Sequence, residues 1–333
     1  IKTVTWGISG AEKKKKNDAY VAQIVAEKFD TNHLFFQTNS SKESANLILM
    51  RFLKNGEGRI DHFSGYTDGF QIWKSLFENN IEGVIRGNQV FGQKSPNSSL
   101  AVRNFIGISL CLDYKNLERF DYIKSLKQEL PADLQKKSNE SLATWRDRLI
   151  QEYRLPVIQA ALTDLKLPYV EQFDPLLSRE IIEQVRSLPD HLRNNKSLFQ
   201  EIVKSLNPGI EYASKNATQD QKNIFTQKEF VELFKQELST ENAKSIFPNG
   251  FLEEITRNLK DDSKAHIFTL ASIKKVISKN LPNKLKKTIY RKIGTQSLDY
   301  NILAFRLTII SKMVRLFKED SESTIFKLEK TIQ

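Results

Sequence analysis

The chain reads as an α/β protein: a parallel sheet covered on both faces, followed by a largely helical C-terminal half. Two observations carry this expectation. Short apolar runs alternate with amphipathic segments from Ile1 to about Leu112, and helical periodicity takes over from Asn116. A hydrophobic fraction of 39% with 21 Phe in 333 residues supports a folded chain with a sizeable core.

Thr3 to Ile8 has the apolar content of a buried strand, and Asp18 to Phe29 follows with Ala22, Val25, Ala26 and Phe29 at helical spacing. Thr31 to Phe36 is the next strand. Between Gly56 and Gly92 the pattern predicts a polar loop, a helix with Phe70, Trp73 and Phe77 on one side, and a buried strand from Gly83 to Ile85. That strand opens into the turn Arg86-Gly87-Asn88-Gln89-Val90-Phe91-Gly92. A glycine directly after a strand in an alternating α/β pattern is where such sheets place nucleotide phosphates. The first two strands that feed glycine turns, Thr3 to Ile8 and Gly83 to Ile85, are therefore expected to be parallel neighbours with their carboxyl ends at one cleft.

Helices are expected at Leu117 to Leu130, Glu140 to Tyr153, Ser178 to Leu188 and Ser197 to Leu206. The Asn207-Pro208-Gly209 turn and the polar run from Ala213 to Lys222 mark a boundary, giving domains 1–210 and 211–333. Further helices are expected at Thr226 to Leu238, Asn249 to Leu259, Leu270 to Ile277 and Leu298 to Phe317. The last carries a broad apolar stripe.

Cys111 is the single cysteine, so no internal disulfide can form and a reducing, cytoplasmic compartment is expected. No apolar run approaches the ~20 residues that span a bilayer. The net charge of +11 is uneven: nine Lys or Arg and no acid fall between Asp262 and Asp299. Such a window attracts polyanions, but it has no aromatic interleaving for base stacking. A solvated helical face is the simpler account, and nucleic acid is not expected as a partner. His62, His191, His266 and Cys111 show no metal spacing, and no serine nucleophile elbow occurs.

From about Thr3 to Pro208 the ordered series of Thr3 to Ser9, the helix ending before His33, the Arg86 to Gly92 turn, Phe173-Asp174-Pro175 and Leu188 to Lys196 resembles the synthetase domain of the asparagine synthase family. The resemblance implies a sheet of the adenine nucleotide α-hydrolase-like type. It also implies an activity: ATP adenylates a substrate carboxylate, and an amine, usually ammonia from a glutaminase domain, attacks to give an amide. Mapped onto this chain, it implies nucleotide contacts at Gly7, His33, Arg86 and Gly87. Mg²⁺ would be held at Asn88 and Gln89, and Lys196, with Arg193 sharing the task, would offset charge on the α-phosphate.

Two departures accompany the resemblance. The family's S-G-G-x-D-S pyrophosphate loop does not occur, and the first strand and that loop are expected upstream of Ile1. Where the family has Asp-Glu, this chain has the neutral amides Asn88-Gln89, which predict feeble magnesium-dependent ATP binding unless another acid, such as Glu57, Asp61 or Asp68, fills the role.

Individual residues carry alternatives. Lys196 is either the phosphate-facing lysine or a surface one. His33, between apolar residues, also fits a satisfied, partly buried side chain. Asp174 is expected to cap the turn before Ser178, or to be held by Arg193. Arg86 could bind a phosphate or carboxylate, or pair with Glu57 or Asp61. The expected function is ATP-dependent amidation of a larger carboxylate, such as a sugar acid of a glycan. The alternatives are a catalytically impaired subunit that binds a partner and a nucleic-acid-acting relative.

Overall fold

The computed structural model describes residues 1–38, 41–206, 209–218, 221–261 and 297–332. The expected helix at Leu270 to Ile277 and nearly all of the basic window lie outside the described residues. The chain divides into two compact units, one of residues 1–108 and 130–221 and one of residues 109–129 and 222–333.

The first unit is mixed α/β, with helices outweighing two small parallel sheets. Strand β1 (Lys2–Gly7) pairs in parallel with β2 (Asn32–Gln37), with Trp6 opposite Phe36. Between them runs α1 (Asp18–Lys28), the crossover that a parallel pair requires. Its first turn is capped by the Asn17 side chain, which accepts from the Ala19 amide. Ala19 and Ala26 are its buried residues, while Phe29 is exposed. Next come α2 (Ala45–Gly56) and α3 (Gln71–Glu78). Phe70 and Trp73 are buried as expected, but Phe77 is 62% exposed, because Ile72, Trp73 and Leu76 set the inward face.

Strand β3 (Gly83–Ile85) pairs in parallel with β4 (Glu171–Phe173). It is not the buried strand expected from its apolar content: Ile85 is 78% exposed and its register partner Phe173 is 64% exposed. Nor does β3 neighbour β1. The two lie in separate two-stranded sheets, each laddered to another partner, so a single large sheet is not formed among the described residues. What joins the pairs is side-chain contact: the Arg86 guanidinium sits 5.4 Å from the Trp6 ring, and Trp6 meets Trp73 edge-on at 5.7 Å.

Helix α4 (Ser99–Ile106) is capped by Ser98. Residues 109–129, expected to include one long helix, form a 3-10 turn (Cys111–Asp113) and the short helices α5 (Lys115–Glu118) and α6 (Asp121–Ser125), which belong to the second unit. In the first unit, α7 (Leu142–Leu149) runs on through a π-helical stretch, Ile150–Gln159, into α8 (Ala160–Asp164). Pro156 lies inside that stretch. The wider π turn accommodates a residue that lacks an N–H and would break an α-helix, so the helix outlasts the expected stop at Tyr153. Helices α9 (Arg179–Ser187), α10 (Asp190–Arg193) and α11 (Ser197–Leu206) complete the unit around Val90, Phe91, Trp145 and Leu149.

Among its described residues beyond 221, the second unit is helical. It contains α12 (Gln221–Ile224), α13 (Lys228–Leu238), α14 (Glu241–Ile246), α15 (Asn249–Arg257) and α16 (Tyr300–Ile332). Phe225, Phe234 and Phe305 pack as one aromatic cluster. Glu237, 5% exposed, accepts from Ser311 and pairs with Lys312 and Arg315. The buried carboxylate is thus fully answered by groups on α16.

Candidate functional site

The β3–β4 ladder places the Arg86 turn. The last ladder bond runs from the Arg86 amide to the Phe173 carbonyl at 2.9 Å, so the side chains that follow each strand emerge together. Arg86 Nη1 lies 3.4 Å from Gln172 Oε1. Lys166 Nζ donates to the same oxygen at 3.1 Å. Gln172 Nε2 donates to Asp174 Oδ2 at 2.5 Å, and Asn88 Nδ2 donates to Asp174 Oδ1 at 2.8 Å. Lys166 is 3% exposed and lies 5.5 Å from the Trp73 ring centre. Burial first, and the Arg86 charge second, lower its pKa to about 7, against the opposing effect of Asp174. The indole N–H of Trp73, itself buried, has no hydrogen-bond partner among the described residues.

Arg86 therefore pairs with neither Glu57 nor Asp61; it is Arg59 that meets Glu57. Asp174 is not held by Arg193 and makes no capping bond to the turn at Pro175. Its oxygens are taken by Gln172 and Asn88. Asp68, suggested as a replacement metal ligand, caps α3 by accepting from the Phe70 and Ile72 amides, and burial raises its pKa to about 6. The residues do not fit a magnesium ion. Asn88 commits its amide nitrogen to Asp174, Gln89 carries no charge, and no group of three or more His, Cys, Asp or Glu among the described residues could hold a metal.

Lys196 lies at a second place. The segments after Phe91 and after Arg193 are zipped together: Gly92 N donates to Arg193 O, Asn195 N to Gln93 O and Lys196 N to Gly92 O. Gly92 adopts φ +81°, and a Cβ there would meet the Phe199 ring at 3.3 Å and Lys196 at 3.4 Å. Gly92, not Gly87, is thus the glycine the turn needs. Asn195 and Lys196 both hold left-handed conformations, φ 57° and 58°. The zipped segments and α4 enclose a cavity of about 610 Å³. Lys94, Arg146 and Lys196 line it, with Ser95, Asn97 and Asn195, and no Asp or Glu does. Arg146 is committed to Asp147 and the Lys94 carbonyl, so the two lysines are the charges that suit an anionic ligand.

Arg193 does not reach this cavity's lining. Its guanidinium is spent on the Leu188 carbonyl, Thr144, Asp147 and Asp190. That commitment makes it part of the fold. His33 is placed elsewhere again, with Nδ1 and Nε2 each 2.9 Å from the hydroxyls of Thr3 and Thr5 on the adjacent strand. Burial lowers its pKa. It floors a groove under α1, the satisfied histidine that its apolar neighbours suggested. Gly7 is required because Ala217 packs on it: a Cβ would lie 2.7 Å from the Ala217 Cβ and carbonyl oxygen. Of the expected site residues, the structure gathers Arg86, Gly87 and Asn88 at one turn and sets Lys196 in the cationic cavity.

Sequence reasoning missed Lys166, Gln172 and Arg146. The signal for the first was present, a lysine between leucines in Leu165-Lys166-Leu167-Pro168. Comparison of the chain with protein-family models, curated proteins and solved structures found no match.

Proposed function

We propose that the first compact unit binds a phosphate-bearing nucleotide at the Lys196 cavity and activates a carboxylate by adenylation, in the manner of asparagine synthases. The observation that carries the reading is the cavity itself, where Arg146 is neutralised by Asp147 while the exposed Lys94 and Lys196 line it with no Asp or Glu among the lining residues. ATP would supply an α-phosphorus for carboxylate attack, with pyrophosphate leaving. An amine, from a glutaminase domain or subunit, then displaces AMP to give the amide. The chain's own part is to hold phosphate charge with cations that stay fixed as charge moves. A site of this composition uses side-chain cations where relatives use magnesium.

The sheet arrangement does not add to this reading, because β1 and β3, expected as neighbours, lie in separate two-stranded sheets. A larger acid, such as a sugar acid of a glycan, is the preferred substrate class. The test is calorimetric titration of ATP with and without Mg²⁺. Metal-independent binding, weakened by salt and lost in Lys196→Ala, is expected; no binding in either condition would sink the reading.

A binding subunit is the second reading, favoured by the exposure of Ile85 and Phe173 on the β3–β4 sheet. It predicts no nucleotide binding in the same titration.

A further inference from the structure

Two cations converge on Gln172 Oε1, Lys166 at 3.1 Å and Arg86 at 3.4 Å, and a neutral amide oxygen cannot neutralise either. The one carboxylate in contact with the cluster, Asp174, is a bond further away and is already engaged by Gln172 and Asn88. When Lys166 is protonated the cluster holds two positive charges against one negative, and Lys166 is almost wholly buried. Burying such a charge unanswered is costly, and proteins ordinarily supply a counter-ion. Beside the cluster, the buried indole N–H of Trp73, whose ring lies 5.5 Å from Lys166 Nζ, has no hydrogen-bond partner among the described residues. Arg86, Gln172 and Trp6 are only half-buried, so the cluster has a solvent side.

We propose that Arg86 and Lys166 form a binding site for the carboxylate of an organic acid, and that Gln172 Oε1 stands where one oxygen of that carboxylate binds. The guanidinium offers a planar fork that matches a carboxylate, and Lys166 offers a point charge from below. The half-exposed Trp6 ring provides an apolar wall for the rest of the ligand. Gln172 swings aside on binding, still able to donate to Asp174. Naming the ligand as the acid to be activated rests on the adenylation reading; the existence of the site does not.

The full chain is titrated without nucleotide, using acetate and glucuronate as probes, with glucose and inorganic phosphate as controls. Trp6 and Trp73 flank the cluster, and their fluorescence reports occupancy. Lys166 is followed by its reactivity toward an amine reagent, which the bound carboxylate should suppress. Saturable binding of glucuronate and acetate, but not glucose, is expected. Arg86→Gln and Lys166→Met should each weaken it about tenfold or more, the loss of one charge-assisted hydrogen bond. Gln172→Ala removes the occupant of the site and should tighten binding, an outcome that a merely structural glutamine would not give. Preference for phosphate over both acids, or no saturable change with any probe, would overturn the proposal. Because ATP is absent, failure here leaves the Lys196 titration to decide the adenylation reading separately.

Discussion

Asp147 and Gln172 are each approached by two cations, and the outcomes differ. Asp147 is 2% exposed; Arg146 donates to Oδ1 through Nε and Nη2 at 2.8 and 2.6 Å, and Arg193 donates to Oδ2 at 2.6 Å. The remaining Arg146 nitrogen reaches the Lys94 carbonyl at 2.7 Å, and Arg193 also binds Asp190. There a carboxylate stands between the cations, and backbone and Asp190 oxygens complete them. At Gln172 the group between the cations is an amide, and the lysine pays for it with a lowered proton affinity. The first arrangement holds α7 to α10 and to the loop at Lys94. The second keeps charge in reserve, which is a feature of sites and not of scaffolds.

The comparison breaks first at Asp147. Asp147→Ala would leave two buried guanidinium groups without their shared counter-ion, a loss of about 3–5 kcal/mol. Urea denaturation measures it. A loss below about 1 kcal/mol would mean that the arginine pair is not structural, and the contrast with Gln172 would lose its basis.

Lys166 gives the opposite sign. Its folded pKa, about 7, lies below the unfolded value. Between those two values the unfolded chain binds more protons, so stability rises with pH from about 7 toward 10 and is lost as pH falls back through 7. The groups that set the shift besides burial are Arg86, which lowers it, and Asp174, which raises it. At ~1.4 kcal/mol per unit the full gain is on the order of 5 kcal/mol. Lys166→Met should abolish this rise and leave the protein as stable as wild type or more so at pH 7. Denaturation across the pH range checks both statements, and a flat wild-type profile would show that Lys166 is already compensated.

Gly92 sharpens the comparison at the cavity. Gly92→Ala forces an L-residue to φ +81° beside Phe199 and Lys196, and about 1–2 kcal/mol of stability should be lost. Thermal unfolding of the variant measures it. Gly87 has open space around it, and Gly87→Ala should be nearly neutral.

How much of this was legible follows from range. Local periodicity marked α1, α9, α11, α13 and α15 to within a few residues, because the spacing of their apolar residues is carried by the sequence, although α11 leaves Ile202, Val203 and Leu206 exposed. It overextended the helix at Leu117, where turns interrupt the pattern, and stopped short at Tyr153, where the π turn absorbs Pro156. Strand neighbours were beyond it. Nothing local at Gly83 says that its partner is Glu171 rather than a residue of β1. The site was half legible for the same reason. Arg86 and Lys196 stand in recognisable local contexts, but Lys166 becomes a site residue only when β4 brings Gln172 to Arg86.

The smallest expected effect on stability is at Lys196, and it separates the two arrangements most directly. The Lys196 side chain is exposed and lines the cavity, so Lys196→Ala should change stability by no more than about 0.5 kcal/mol. Its neighbour Arg146 lines the same cavity but is 1% exposed and bonded on every side, so Arg146→Ala should unfold the loop it holds. Loss of ATP binding in the arginine variant would therefore say little. In the lysine variant it would say a great deal, because the fold is intact. The expected result is at least a tenfold weaker ATP affinity, about 1.4 kcal/mol or more, with an unchanged denaturation midpoint and a shallower dependence on salt. A variant that binds ATP as tightly as wild type would show that the cavity's charge is structural too. The charge in reserve would then be that of the two cations around Gln172.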